Sequence, residues 1–193
     1  MQLILASSSS IRRELLERLN LPYQAMSPDI DESPKSGEDA EQLARRLSQE
    51  KALLIAKQHP DAVVIGSDQV AFLASDPFDF VGKPMDYLQA FAQLQRQSGQ
   101  ILNFRTGLSL QSVRQNIDTT VVIHSQVKFR DLSDAEIDYY LQQDTPYFCA
   151  GSFKLESLGI SLFEWTKSDD FTAIMGLPMI SLCQLLRQYG FRV

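Results

Sequence analysis

At 193 residues, with 44% hydrophobic and 22% charged residues, the chain is long enough to bury a sizeable core and is neither disordered nor fibrous. A net charge of -6 excludes a broad nucleic-acid surface, so any cationic site must be local. No apolar stretch approaches the roughly 20 residues of a membrane span, and Leu3-Ile4-Leu5-Ala6 is too short and lacks the basic lead of a signal peptide. Cys149 and Cys183 form no CxxC pair and suggest a reduced, cytoplasmic setting.

Gln2–Ala6 reads as a strand, followed by a helix whose apolar face is Ile11, Leu15, Leu16 and Leu19. Between them stand Ser7 to Ser10, with Ser9 or Ser10 as the N-cap, and then Arg12 and Arg13. Arginine in a first helical turn opposes the partial positive charge already there. An anion removes the conflict. Backbone N–H groups at a strand-to-helix turn, serine hydroxyls and guanidinium forks together suit phosphate, and Ser7, Ser9, Arg12 and Arg13 are the candidates. The alternative is a serine-rich cap with two solvated arginines.

A helix from about Glu38 to Gln58 ends before Pro60. Leu43, Leu47 and Leu54 share a face with Ala40, Ala44 and Ile55, and Lys51 falls inside that apolar arc while Arg45, Arg46, Glu50 and Lys57 fall outside it. A lysine in such a stripe either snorkels to water or meets a buried anion. Ala62–Ala74 follows as a β-rich strand interrupted by Asp68, with Gly66 close by to allow a near approach. Either the strand ends at Ser67 and leaves Asp68 in a turn, or Asp68 is ion-paired, metal-bound or catalytic.

Asp76–Phe80 reads as an apolar-tipped loop, and Gly82-Lys83-Pro84 as a rigid turn projecting Lys83. Asp86–Gln97 is a helix closed by Gly99, and Ile101–Val113 and Thr119–Arg130 pair as strands around Gln115-Asn116. Ser133–Gln142 is a helix opened by a capping box, Gly159–Trp165 a strand and Leu177–Tyr189 a last helix. The class is α/β with a mixed sheet, in a single domain spanning 1–193. His59 and His124 have no second good ligand near them in sequence, which argues against zinc or a Ser-His-Asp triad. Serines and arginines, Glu32, Lys51, Asp68 and Lys83 suit phosphoryl chemistry: cations hold a polyphosphate, and carboxylates hold a metal and activate water.

In order, LASSSSIRRELL, Asp31-Glu32, Gln49-Glu50-Lys51-Ala52, IGSDQV, Gly82-Lys83-Pro84, Arg105-Thr106-Gly107 and AGSF resemble the Maf-like nucleoside triphosphate pyrophosphatases, from Leu3 to Gly176-Leu177-Pro178. The resemblance implies a mixed sheet folded into two lobes around a central cleft, as in inosine-triphosphatase-like folds, often as a homodimer. It implies metal-dependent cleavage of a nucleoside triphosphate to monophosphate and pyrophosphate, without membrane or stable nucleic-acid binding. Asp68 would be the general base, Arg12, Lys51 and Lys83 would bind phosphates, and Glu32, together with Asp68, would hold Mg²⁺ or Mn²⁺. Gln69 and Glu156 resemble the branch acting on 7-methyl-GTP. Two positions depart from the pattern: Ser10 stands where the motif usually has Pro, and Ile11 where this branch often has an aromatic that could stack on a cationic base. Two rival readings are a nucleotidyltransferase and a non-enzymatic nucleotide-binding regulator of cell division.

Overall fold

The computed structural model describes residues 1–193. One seven-stranded mixed sheet runs through the molecule, in the order β2 (Gln24–Met26), β1 (Gln2–Ala6), β3 (Ala62–Leu73), β5 (Ile101–Ser112), β6 (Ile117–Phe129), β7 (Phe163–Ser168), with β4 (Asp76–Phe80) also pairing β3. Five α-helices pack around it: α1 (Ser10–Glu17), α2 (Ala40–Gln58), α3 (Tyr87–Gln97), α4 (Asp134–Asp144) and α5 (Met179–Gln188). The strands at the β2 end are parallel and the others antiparallel.

The pairing of β3 explains the cleft. One edge of β3 pairs β5 without a break from Val64 to Leu73. On its other edge β1 covers β3 only as far as Gly66, and β4 takes up pairing at Phe72. The stretch between those two points has no ladder partner on that side, and the molecule opens there. Each half of the sheet has its own core on the face away from α2. Leu3, Leu5, Ile65, Leu108, Leu182 and Leu186 fill one; Leu94, Leu102, Phe104, Phe129, Tyr140 and Phe153 fill the other.

Helix α2 lies across the opposite face and spans both halves, packing on Ile4, Ala6 and Val64 near its end and on Val70 and Phe72 near its start. Its N-terminus is fixed by a capping box in which Asp39 accepts from the Gln42 N–H while the Gln42 side chain accepts from the Asp39 N–H. It sits unusually close to the sheet. A Cβ at Gly66 would collide with the Ser48 carbonyl and stand 2.8 Å from the Ala52 Cβ, and one at Gly107 would meet the Ala44 carbonyl and, at 2.6 Å, the Ser48 hydroxyl. Two adjacent strands thus present bare backbone where the helix passes.

As expected for Ala62–Ala74, β3 runs through Asp68 to Leu73, because β5 pairs with it from Val64 onward, and the alternative of an end at Ser67 falls. Two expectations are corrected. Asp76–Phe80 is a strand rather than a loop, folded back onto Phe72 and Leu73. In the segment expected as a strand from Gly159, residues Leu158–Leu162 form a 3-10 turn and β7 starts at Phe163. A second 3-10 turn, Phe171–Met175, leads into α5.

Candidate active site

The β1–α1 turn is built as a cap. Ser9 is the N-cap, its hydroxyl accepting from the Arg12 N–H at 3.3 Å, and the buried Ser7 hydroxyl accepts from the Ser9 N–H at 3.1 Å. Arg12 is partly buried, and its Nε donates to the Gly176 carbonyl at 2.7 Å. Gly176 has φ +96, and even a Cβ there would come within 3.3 Å of the Arg12 Nε, so this position needs glycine on both counts. The same carbonyl lies 2.9 Å from the Ser67 hydroxyl. Burial lowers the Arg12 pKa, while Asp68 and Glu32 favour its charged form.

Arg13 is exposed and lies off the cavity wall, because successive helical residues point about 100° apart and Arg12 takes the inward direction.

Lys51 is buried, and of the two outcomes open to a lysine in the apolar stripe of α2 it meets anions rather than snorkelling to water. Its ammonium donates to the Asp68 Oδ1 at 2.5 Å and sits 2.6 Å from the Glu32 Oε1. Asp68 points toward α2 because alternate residues of β3 face that side. Its second oxygen accepts no hydrogen bond from the protein, and the residue lines the cavity. Glu32 sits on the irregular segment between β2 and α2. Partial burial pushes its carboxyl up, but the hydrogen bond and charge of Lys51, with Lys83 and Arg12 beyond, hold it below the usual carboxylate range.

These groups line one open cavity of about 1130 Å³. Ser7, Ser9, Ile11, Arg12, Glu32, Lys51, Asp68, Gln69, Lys83 and Glu156 all contribute to its wall. Gln69 is tied down: its amide donates to the Ala173 and Ile174 carbonyls at 2.7 and 3.0 Å, fastening β3 to the turn that ends at Gly176. Lys83 is exposed on a turn held by the Gln93 amide donating to the Gly82 carbonyl at 3.1 Å.

Glu156 is exposed on a segment pinned from α4. The Asp144 carbonyl accepts from the Lys154 ammonium at 2.6 Å, and its carboxylate accepts from the Ser157 hydroxyl at 2.6 Å and the Gly159 N–H at 3.1 Å. Phe153 anchors the start of that wall in the core, edge-on to Phe104, Phe129 and Phe163. The sequence reading missed Phe148. It lines the cavity at 69% exposure and offers an aromatic face that Ile11 does not. A phenylalanine in a short segment of small and polar residues carries no periodicity to mark it.

The donor set fits a hard divalent cation. Two carboxylates converge within 2.6 Å of one ammonium, and a cation site there is oxygen-only. No cluster of three His, Cys, Asp or Glu side chains exists.

A family model described as "Maf-like protein" matches residues 2–189. The chain belongs to the Maf-like family. Its Maf-like relatives include the nucleoside triphosphate pyrophosphatase of Acinetobacter baylyi, 50% identical over 191 residues that cover 99% of this chain and 96% of that protein. The 7-methyl-GTP pyrophosphatase of Bordetella avium is 48% identical, covering 98% and 93%. That of Albidiferax ferrireducens is 45% identical, covering 100% and 95%. Among solved structures, a HAM1 protein from Coxiella burnetii overlaps 67% of this Maf-like chain and 73% of its own, at 16% identity and a TM-score of 0.46.

Proposed function

We propose that this Maf-like chain hydrolyses a nucleoside triphosphate, 7-methyl-GTP above others, to the monophosphate and pyrophosphate. The observation that carries the reading is the junction of Asp68, Lys51 and Glu32 at the floor of a cavity rimmed by Arg12 and Lys83. The serine turn and Arg12 receive the phosphate chain through N–H, hydroxyl and guanidinium donors. Lys51 and Lys83 offset its charge. Asp68 orients a water in line with the α-phosphorus and takes its proton as the new P–O bond forms; the bond from that phosphorus to the bridging oxygen breaks and pyrophosphate leaves. Glu32 and Asp68 would hold a divalent cation, which when bound supplies charge neutralisation on the leaving pyrophosphate. Glu156 faces the base end, where its charge offsets a cationic methylated ring. No helix is long and apolar enough to cross a membrane, and two free cysteines accord with a cytoplasmic setting.

The test is pyrophosphate release, with Mg²⁺ or Mn²⁺, from 7-methyl-GTP, GTP, dTTP and UTP with no acceptor present. Preference for 7-methyl-GTP is expected, and Glu156→Gln should reduce that preference about fivefold, the effect of roughly 1 kcal/mol from an exposed charge pair. A parent enzyme favouring dTTP or UTP removes the base assignment; binding without release removes the hydrolase. Arg12→Lys should raise KM for the triphosphate about tenfold with little change in kcat, because an ammonium cannot brace on Gly176 and present a fork to phosphate together. Unchanged KM would leave Arg12 a structural brace alone.

A further inference from the structure

Thirteen residues, 27 to 39, connect β2 to α2 without regular structure, and Glu32 sits among them. Most of this segment is exposed, so few contacts hold it by burial. Segments of that length without secondary structure are commonly functional or disordered. Here an arginine outside the cavity pins it. Arg46 donates from Nε and Nη2 to the two Glu38 carboxylate oxygens at 2.7 and 2.8 Å, from Nη2 also to the Ser33 carbonyl at 3.0 Å, and from Nη1 to Glu50 at 3.0 Å. The Arg46 and Glu38 side chains are only 15% and 9% exposed, an unusual depth for an ion pair on an otherwise open loop. Lys35 adds a looser contact to Glu50 at 3.6 Å.

Arg46 and Lys51 leave α2 in directions about 140° apart, five residues at 100° each. Lys51 reaches Glu32 from the sheet side, and Arg46 reaches the next residue's carbonyl from the outer flank. The segment is therefore held from two directions, and the backbone that carries Glu32 cannot shift without breaking the partly buried, two-point Arg46–Glu38 pair or the Ser33 contact beside it. The geometry points to Arg46 as a positioning residue: its clamp on Ser33 and Glu38 sets the Glu32 carboxylate at the cation-binding point opposite Asp68. This rests on the proposed role of Glu32. Groups that orient a metal-holding carboxylate commonly change metal affinity 10- to 100-fold when removed.

The test compares the parent with Arg46→Met, Arg46→Lys and Glu32→Gln. Mn²⁺ alone is titrated into each without nucleotide, followed by the paramagnetic resonance of free Mn²⁺. The Mn²⁺ concentration giving half-maximal pyrophosphate release is measured alongside. Arg46→Met should raise both the Mn²⁺ Kd and the activation midpoint about tenfold, with kcat recovered at saturating Mn²⁺. Arg46→Lys keeps the charge but loses the fork, and should show a smaller rise. A lower melting temperature with both Mn²⁺ values unchanged makes Arg46 a brace for the loop and overturns the inference. If Glu32→Gln itself leaves both values unchanged, Glu32 does not hold the cation, and the inference falls with that reading rather than by its own failure.

Discussion

Asp68→Asn is expected to lower kcat by about 10²- to 10⁴-fold, the range a positioned general base contributes, while nucleotide still binds. The substitution is nearly isosteric and keeps an oxygen that can accept from the Lys51 ammonium. Lys51 retains Glu32 at 2.6 Å, so no buried cation is left unpaired. The variant should therefore melt within a few degrees of the parent, which separates loss of chemistry from loss of fold. Single-turnover release of pyrophosphate with saturating nucleotide is the measurement. A rate near the parent's would show that another group activates the water and would return Asp68 to the role of a counter-ion for Lys51.

Gly66→Ala is expected to destabilise the fold by about 3 kcal/mol, the upper part of the range for overpacking a tight core, and to reduce kcat/KM as well. The added methyl meets the Ser48 backbone and the Ala52 side chain, neither of which is a flexible end that can turn away. Helix α2 must move off the sheet, and Lys51, one turn beyond Ser48, moves with it. Gly66 does not have a positive φ, so the loss would be one of packing and not of backbone strain. Gly82→Ala is the matched control for stability, because a Cβ there meets nothing within 4 Å. Denaturant midpoints read the difference. Equal midpoints for the two variants would mean that α2 yields without penalty and that the bare strands do not set the position of Lys51.

Much of the secondary structure was legible because its signals are local. The capping box at Ser133 forms as expected, with the Ser133 hydroxyl accepting from the Glu136 N–H while the Glu136 carboxylate accepts from the Ser133 N–H. The β5–β6 hairpin turns at the polar segment expected for it, with Asn116 at φ +52. What escaped were elements with little burial to print a pattern. β2 is three largely exposed residues, held by pairing with β1 and by the packing of Met26 alone. β4 carries Asp76 and Asp79 on an exposed ribbon. Gly159 could not continue a strand, because its backbone is folded against Lys154 so tightly that a Cβ would collide with the Lys154 carbonyl.

The candidate site divides along the same line. The place of Lys51 in an apolar stripe followed from helical periodicity, and the oddity of Asp68 followed from a charge inside a strand pattern. The partner of each did not follow. Glu32 lies on a loop before α2 and Asp68 on a strand after it, and their meeting at one ammonium depends on how closely a helix lies upon two glycines of adjacent strands. Arg12 and Arg13 were indistinguishable as residues in a row. Only the direction of the α1 surface, and the Gly176 carbonyl waiting at 2.7 Å, decided between them.

By itself, then, the sequence determined where the longer strands and helices run, which apolar faces they bury, and that cations and carboxylates without a useful histidine are the chemical resources. These are short-range or periodic properties, decided by propensity, capping and the cost of burying charge. Tertiary structure alone decided that β3 loses a partner on one edge where β1 stops and β4 has not begun, so that a cavity forms beside Asp68. It also decided that Lys51 and Arg46 hold the Glu32 segment from two directions. Both are consequences of register and of helix-to-sheet distance, which depend on residues far apart in the chain meeting at once.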